Sequence, residues 1–430
     1  MSREDRRLRG TAPRGSSARL WSPAWPYLDP GNVASNMTAG ARFGYLLVWV
    51  VVLGNVMAWL IQYLSAKLGL VTGLSLPEVL GQRLRRPWAR RAYWLQAELV
   101  AMATDIAEVI GGAVALQLLF GVPLVWGGLL TGIVSTALLV VQSRRGARAF
   151  EFVVIGLIVI IAAGFTFGVF LGPPDPAAVV AGLLPRFDGT DSVLLAASIL
   201  GATIMPHAIY AHSALARDRF APPEALARER FASPAGTNAD AGAPGIPLAR
   251  LLRATRWDVS IAMLVAGTVN LCILLLAAAN LAGVPGTDSL EGAYAALQQG
   301  IGPLVATLFA VGLLASGLAS TSVGAYAGAE IMHGLLRVRV PLLARRLVTL
   351  VPALAVLGLG VDPTLALVLS QVVLSFGIPF ALVPLVTLTA QRRLLGQHAN
   401  RSVTTIAGAA ASVFLIALNG VLLWLVLGGP

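Results

Sequence analysis

Two short polar interruptions stand in otherwise apolar sequence, and both carry groups that bind cations. The first, Asp29-Pro30-Gly31-Asn32, offers a carboxylate and an amide oxygen. The second, Met205-Pro206-His207, lies inside the apolar run Val193–Leu215; it offers a thioether, and the carbonyl of Ala202 if the helix unwinds there. Oxygen ligands alone suit Mg²⁺ or Ca²⁺, whereas a sulfur ligand moves preference toward softer ions such as Mn²⁺ and Fe²⁺, and also Cd²⁺. One carboxylate against a divalent ion leaves net positive charge, which suits reversible transport better than storage. The bland alternatives are core packing for Met205 and helix capping for Asp29, a role compatible with ligation. Polar groups at mid-membrane are costly and usually functional, so the pairing of the two breaks favours a metal site.

A second constellation lies in the run Leu95–Leu119. Glu98, Asp105 and Glu108 are spaced by seven and three residues, which places all three on one helix face. Arg345 and Arg346, at the start of the run Leu342–Leu359, are the expected partners. Structural ion pairing and a proton exit path both remain open, and a carboxylate column paired with arginines is the form a proton path would take. His207 is either a group that titrates near neutral pH or a hydrogen-bonded residue of the helix break. His212, further along the same run, reads as structural. Ser320 and Gln371 are mid-helix polar residues whose default role is hydrogen bonding between helices.

These residues need a bilayer-spanning scaffold to position them. The 430-residue chain is 57% hydrophobic and 12% charged, with mean hydropathy +0.79; soluble domains carry roughly 25% charge. Long apolar runs occupy about 45–64, 95–119, 123–141, 152–171, 193–215, 259–281, 304–326, 342–359, 365–388 and 403–427. Each approaches the ~20 residues that cross ~30 Å of hydrocarbon, and the Asp29 segment completes an expected eleven spans. A proline at mid-span removes a backbone donor, and the freed groups survive in lipid only against protein or a cavity. The single cysteine, Cys272, excludes a disulfide framework or thiolate cluster, and no cleavable signal peptide is expected.

The net charge of +11 reflects topology rather than nucleic-acid binding. Arginines crowd the tail 1–19, which reads as disordered, and the second-to-third, fourth-to-fifth, sixth-to-seventh, eighth-to-ninth and tenth-to-eleventh connections. Connections of the other parity hold only Arg42 and Arg186. The positive-inside rule then puts the N-terminus in the cytoplasm and the C-terminus outside. Residues 20–430 form one transporter domain in this division, and the long Pro/Ala/Gly-bearing connection 217–257 reads as a flexible cytoplasmic loop. The arginine and alanine bias suggests a high-GC bacterium and its plasma membrane.

Asp29-Pro-Gly-Asn32 with Met205-Pro-His207 resembles the paired signature of the Nramp divalent-metal transporters. The likeness continues through Gln96-Ala-Glu-Leu-Val-Ala-Met-Ala-Thr-Asp-Ile-Ala-Glu108, Leu314–Gly324 and Ser370–Phe380, and covers the chain from Tyr27 onward. The resemblance implies an all-α LeuT-like fold: two inverted five-helix repeats with the first and sixth helices broken, plus an eleventh helix. It implies proton-linked uptake of Mn²⁺ or Fe²⁺ as substrates, with no cofactor and no enzymatic activity, by a monomer in a lipid bilayer. Asp29, Asn32, Met205 and the Ala202 carbonyl match the family's metal ligands, and Gln371 matches a ligand of its occluded state. Ser320 matches an auxiliary position near the site. Asp29, His207, Glu98, Asp105, Glu108, Arg345 and Arg346 match the family's proton and salt-bridge network. Family members that carry Mg²⁺ replace this methionine, so Met205 favours transition metals.

Three departures stand out: Ala208 replaces an asparagine usual after Met-Pro-His, the connection 217–257 is long, and Trp21-Ser-Pro-Ala-Trp-Pro26 carries two prolines where the family has an apolar half-helix. The rival functions are a carrier of an organic solute on the same fold, an intramembrane enzyme, and a family member that binds metal but gates poorly. The first has little use for Asp29 beside Met205. The second lacks His-Glu-x-x-His or Gly-x-Ser-x-Gly.

Overall fold

The computed structural model describes residues 28–145, 147–220, 247–338 and 342–428. The expected Arg-rich tail and the Leu20–Tyr27 stretch lie outside these residues. So does most of the long connection, residues 221–246.

The described residues are helical throughout, without strands. Helix α1 is Pro30–Phe43, α2 Val48–Thr72, α3 Leu76–Arg83, α4 Pro87–Phe120, α5 Leu124–Arg145, α6 Ala147–Leu171, α7 Pro176–Ala181, α8 Gly189–Ile204 and α9 Pro206–Phe220. Beyond the long connection come α10 Leu248–Asn280, α11 Leu290–Gly300, α12 Pro303–Leu336, α13 Leu342–Gly358, α14 Pro363–Thr389, α15 Arg392–Leu395 and α16 Ser402–Val426. Each expected span falls on one long helix, on α1, or on the broken pair α8–α9. Taken alone, α2, α4, α8–α9, α10, α12, α14 and α16 are long and apolar enough to cross a membrane, seven in all among the described residues.

Several helices run past the apolar stretch that announced them. Helix α4 begins at Pro87 and α10 at Leu248, each about two or three turns before its apolar run, and α12 continues to Leu336. Hydropathy marks only the segment that crosses hydrocarbon, whereas a helix continues into the headgroup region wherever its residues favour it. The expected loop 217–257 is corrected at both ends for the same reason: α9 reaches Phe220 and α10 starts at Leu248. The short helices α3, α7 and α11 lie in connections and were not expected. Local chemistry sets them: Ser75 and Glu78 form a reciprocal capping box at α3, and Asp175 and Ser289 cap α7 and α11 through their side chains.

Burial separates the centre of the bundle from its rim. Every residue of α1 from Pro30 to Ala41 is buried. The apolar window of α8–α9 is 94% buried, against 33% for that of α16. The two elements that carry the polar interruptions therefore lie at the core, enclosed by α2, α4, α10, α12 and α14, while α16 faces outward.

Candidate metal centre

Asp29 is the N-cap of α1. Its backbone is extended, Pro30 takes the first helical position, and its Oδ1 accepts the Asn32 N–H at 2.7 Å. The buried cap thus satisfies an end of a helix that starts inside the protein.

The second break is one residue wide. Helix α8 is regular through Ile204, Met205 takes a left-handed conformation at φ 48°, and α9 begins at Pro206. Ala202 is therefore still helical, and its carbonyl is released without the local unwinding that the sequence suggested. The acceptor at position 202 would ordinarily take the N–H of residue 206, and proline has none. The side chain of Asn32 fills the gap: its Nδ2 donates to Ala202 O and to Asp29 Oδ1, both at 3.1 Å. Two buried oxygens from the two breaks thus converge on one donor. Among the described residues Asp29 Oδ2 has no hydrogen-bond partner.

Met205 is 2% exposed and sits three residues beyond that carbonyl. Gln371, on α14, is buried; its Oε1 has no partner among the described residues, and its Nε2 donates to Ser370 Oγ within the same helix. Two glycines allow α14 to approach both breaks. A Cβ on Gly31 would overlap the Gln371 amide, and one on Gly201 would overlap the Gln371 backbone carbonyl. Among the described residues no three His, Cys, Asp or Glu side chains converge as a metal cluster. What converges instead is a mixed set: one carboxylate, amides, a carbonyl and a nearby thioether.

The carboxylate column forms one ion-pair cluster. Arg345 reaches Glu98 (3.0 Å) and Asp105 (3.2 Å), while Arg346 reaches Asp105 (3.3 Å) and Glu108 (3.1 Å). Ser135 on α5 accepts two further bonds from Arg346, at 3.2 and 2.8 Å. All five ionic side chains are buried. His207, the second residue of α9, contacts Thr104 Oγ1 at 3.1 Å through Nδ1, and so abuts the residue next to Asp105. His212 bonds Gln62, which itself reaches the Ile204 carbonyl beside the break. Ser320 donates to Gly317 in its own helix (3.3 Å), where an added Cβ would meet the Glu108 carbonyl and the Pro30 ring.

Sequence reasoning missed the polar contacts that hold the two breaks in register. Ser35 and Ser198 pair at 2.6 Å between α1 and α8, and Ser316 donates to Leu28 O just before the Asp29 cap. Also unforeseen was a charged knot at the arginine-rich end, where Arg217 meets Glu78, Asp218 and Glu330, and Tyr326 bonds Asp218. Isolated serines and charges at helix ends are too common for spacing alone to single these out.

A helix that begins at the core of an all-helical membrane bundle, facing the break between α8 and α9, is the arrangement of a membrane transporter of LeuT-like fold. The sequence model described as Natural resistance-associated macrophage protein-like (Nramp) matches residues 24–425. The chain is 58% identical over 403 residues to the divalent metal cation transporter MntH of Mycobacterium tuberculosis, covering 94% of this chain and 90% of that one. It is 46% identical over 433 residues to MntH of Deinococcus radiodurans, covering 98% and 94%. A crystal structure of an Eremococcus coleocola manganese transporter superposes with TM-score 0.78 at 31% identity, covering 95% of this chain and 87% of that one. The chain belongs to the Nramp family; it is a multi-pass membrane transporter and not an enzyme.

Proposed function

We propose that this protein imports Mn²⁺ or Fe²⁺ into the cytoplasm of a bacterium, coupled to protons, by alternating access. The observation that carries the proposal is the convergence of Asp29 Oδ1 and Ala202 O on the Asn32 amide. Oxygens gathered around one N–H₂ donor suit a cation equally well. A half-turn of the Asn32 amide replaces that donor with a third oxygen, Asp29 Oδ2 supplies more capacity, and Met205 adds the sulfur that disfavours Ca²⁺ and Mg²⁺. Gln371, already against Gly31, closes the set when the bundles rock. The relatives named as divalent metal cation or manganese transporters support the same substrate class.

The proton path runs from Asp29 through His207 and Thr104 to the column. Three carboxylates face two guanidiniums there, so the cluster is electrically balanced when it holds one proton. A buried group of that composition loads and releases a proton at lower cost than a lone carboxylate would. The Arg217 knot ties α3, α9 and α12 at the cytoplasmic end and opens as the substrate leaves. Uptake of Mn²⁺ into proteoliposomes, with and without an inward proton gradient, tests the proposal. Stimulation by the gradient with concurrent internal acidification is the expected result; uptake indifferent to the gradient would reject the coupling.

A further inference from the structure

A lateral groove of about 1050 Å³ opens between α2, α10 and α16, away from the metal centre. Its two ends differ in chemistry. One end gathers Lys67, Arg253, Arg256 and Arg401, and no Asp or Glu lines any part of the groove among the described residues. Lys67 is only 7% exposed, and its ammonium is held by an amide oxygen, Asn400 Oδ1 at 2.9 Å, rather than by a carboxylate. Arg256 lies over the Tyr63 ring at 5.1 Å and donates to its hydroxyl, so its guanidinium is aimed by a neutral partner. Among the described residues none of these four cations has an ion-pair partner.

The remainder of the groove is apolar, running along α2 from Leu60 to Leu53 with Phe414 of α16 as the far wall. From Lys67 to Leu53 the helix rises about 21 Å at 1.5 Å per residue, which exceeds the ~15 Å depth of one leaflet. Trp59, held by Ser260 (2.9 Å), and Tyr63 flank the passage from basic to apolar lining, as amphipathic rings do at the headgroup level.

Four cations without an ion-pair partner among the described residues, above an apolar trough of leaflet depth, match one occupant. We propose that the groove binds an anionic glycerophospholipid, its phosphate among Lys67, Arg253, Arg256 and Arg401 and its acyl chain against α2 and α16. A zwitterionic lipid would leave the cationic end uncompensated, and a basic pocket between membrane helices is the form such headgroup sites take. The basic end is built from the C-terminal end of α2 and the N-terminal ends of α10 and α16, so the bound lipid bridges three helices at the same membrane face as the arginine-rich connections.

Native mass spectrometry of the full chain, delipidated and then titrated with phosphatidylglycerol or phosphatidylcholine, tests this. One phosphatidylglycerol is expected to remain per protein, with phosphatidylcholine at least tenfold weaker. Arg253→Gln with Arg256→Gln is expected to weaken phosphatidylglycerol at least tenfold. Ala407→Trp, which fills the apolar trough without changing charge, should do the same. Arg85→Gln with Arg86→Gln, an equal charge change outside the groove, should leave binding unchanged, and elution as a sharp monodisperse species checks that each variant is folded. Equal retention of the two lipids, unaltered binding in both groove variants, or a matching loss in the Arg85/Arg86 control would overturn the proposal. So would inorganic phosphate binding as tightly as the lipid and insensitive to Ala407→Trp.

Discussion

Pro206→Ala should leave the fold about as stable or more so, and weaken the site. Proline at 206 leaves the Ala202 carbonyl without its helical partner and with Asn32 alone as donor, and Met205 beside it sits at φ 48°, a left-handed conformation that costs a non-glycine residue of order 1–3 kcal/mol. Alanine restores the missing N–H, so that α8 and α9 can join through an ordinary bond to Ala202 O, worth about 1 kcal/mol. Against this stand the lost ring methylenes, about 0.8 kcal/mol each, which pack toward Gly377, and about 0.4–1 kcal/mol of chain entropy that proline removes from the unfolded state. The balance lies between about 0.6 kcal/mol less stable and about 2 kcal/mol more stable, where a proline-to-alanine change in a well-packed core would ordinarily be destabilising. Metal affinity moves the other way: the Ala202 carbonyl now holds two donors, the new N–H and Asn32, and Met205 turns with its backbone. Mn²⁺ binding should fall at least tenfold, or about 1.4 kcal/mol. Thermal unfolding in detergent and calorimetric Mn²⁺ titration on the same preparation read both quantities. A variant that is less stable yet binds Mn²⁺ as the wild type does would show that packing, not the missing N–H, makes the break, and the reasoning would fail.

Met205→Ala should admit Ca²⁺ and Mg²⁺ as competitors of Mn²⁺ more than it lowers Mn²⁺ uptake itself, because the softness of the site is lost while its oxygens stay; unchanged competition in a transport assay would count against the thioether. Arg346→Met leaves Glu108 without a cation partner and should cost about 3–5 kcal/mol, with much of the loss recovered when Glu108→Gln is added. Absence of that recovery in unfolding measurements would mean the two do not act as a pair. Gly201→Ala, whose Cβ meets the rigid Gln371 backbone, should destabilise by about 1–3 kcal/mol or more. Gly31→Ala, whose nearest contacts are all in the Gln371 side chain, should be milder in stability but should weaken Mn²⁺ binding. The reverse order would refute the packing described for α14.

The parts of this architecture that were legible in sequence are those where one residue type has few alternatives in a membrane. Pro206 within an apolar run permits little except a break, and Asp29-Pro30 reads directly as cap and first turn. Glu98, Asp105 and Glu108 could share a face only on a helix, and the arginine pair was the natural counter-charge; the structure brings all five together. What stayed hidden depends on tertiary approach. Nothing in the sequence ranks Gly31 and Gly201 above the other glycines, because their importance comes from how closely α14 passes. Ser35, Ser198 and Ser316 are ordinary small residues until the helices that carry them meet. The groove of Lys67, Arg253, Arg256 and Arg401 combines three helices far apart in the chain, and the positive-inside pattern accounted for its arginines before any pocket was apparent.

The central claim is that the start of α1 and the break between α8 and α9 form the substrate site. The most direct measurement is anomalous diffraction from crystals of the wild type and of Asp29→Ala soaked in Mn²⁺. The account predicts a peak within bonding distance of Asp29, Asn32, the Ala202 carbonyl and Met205, absent in the variant. A peak among Glu98, Asp105 and Glu108 instead, or one at the breaks that survives loss of the Asp29 carboxylate, would contradict it.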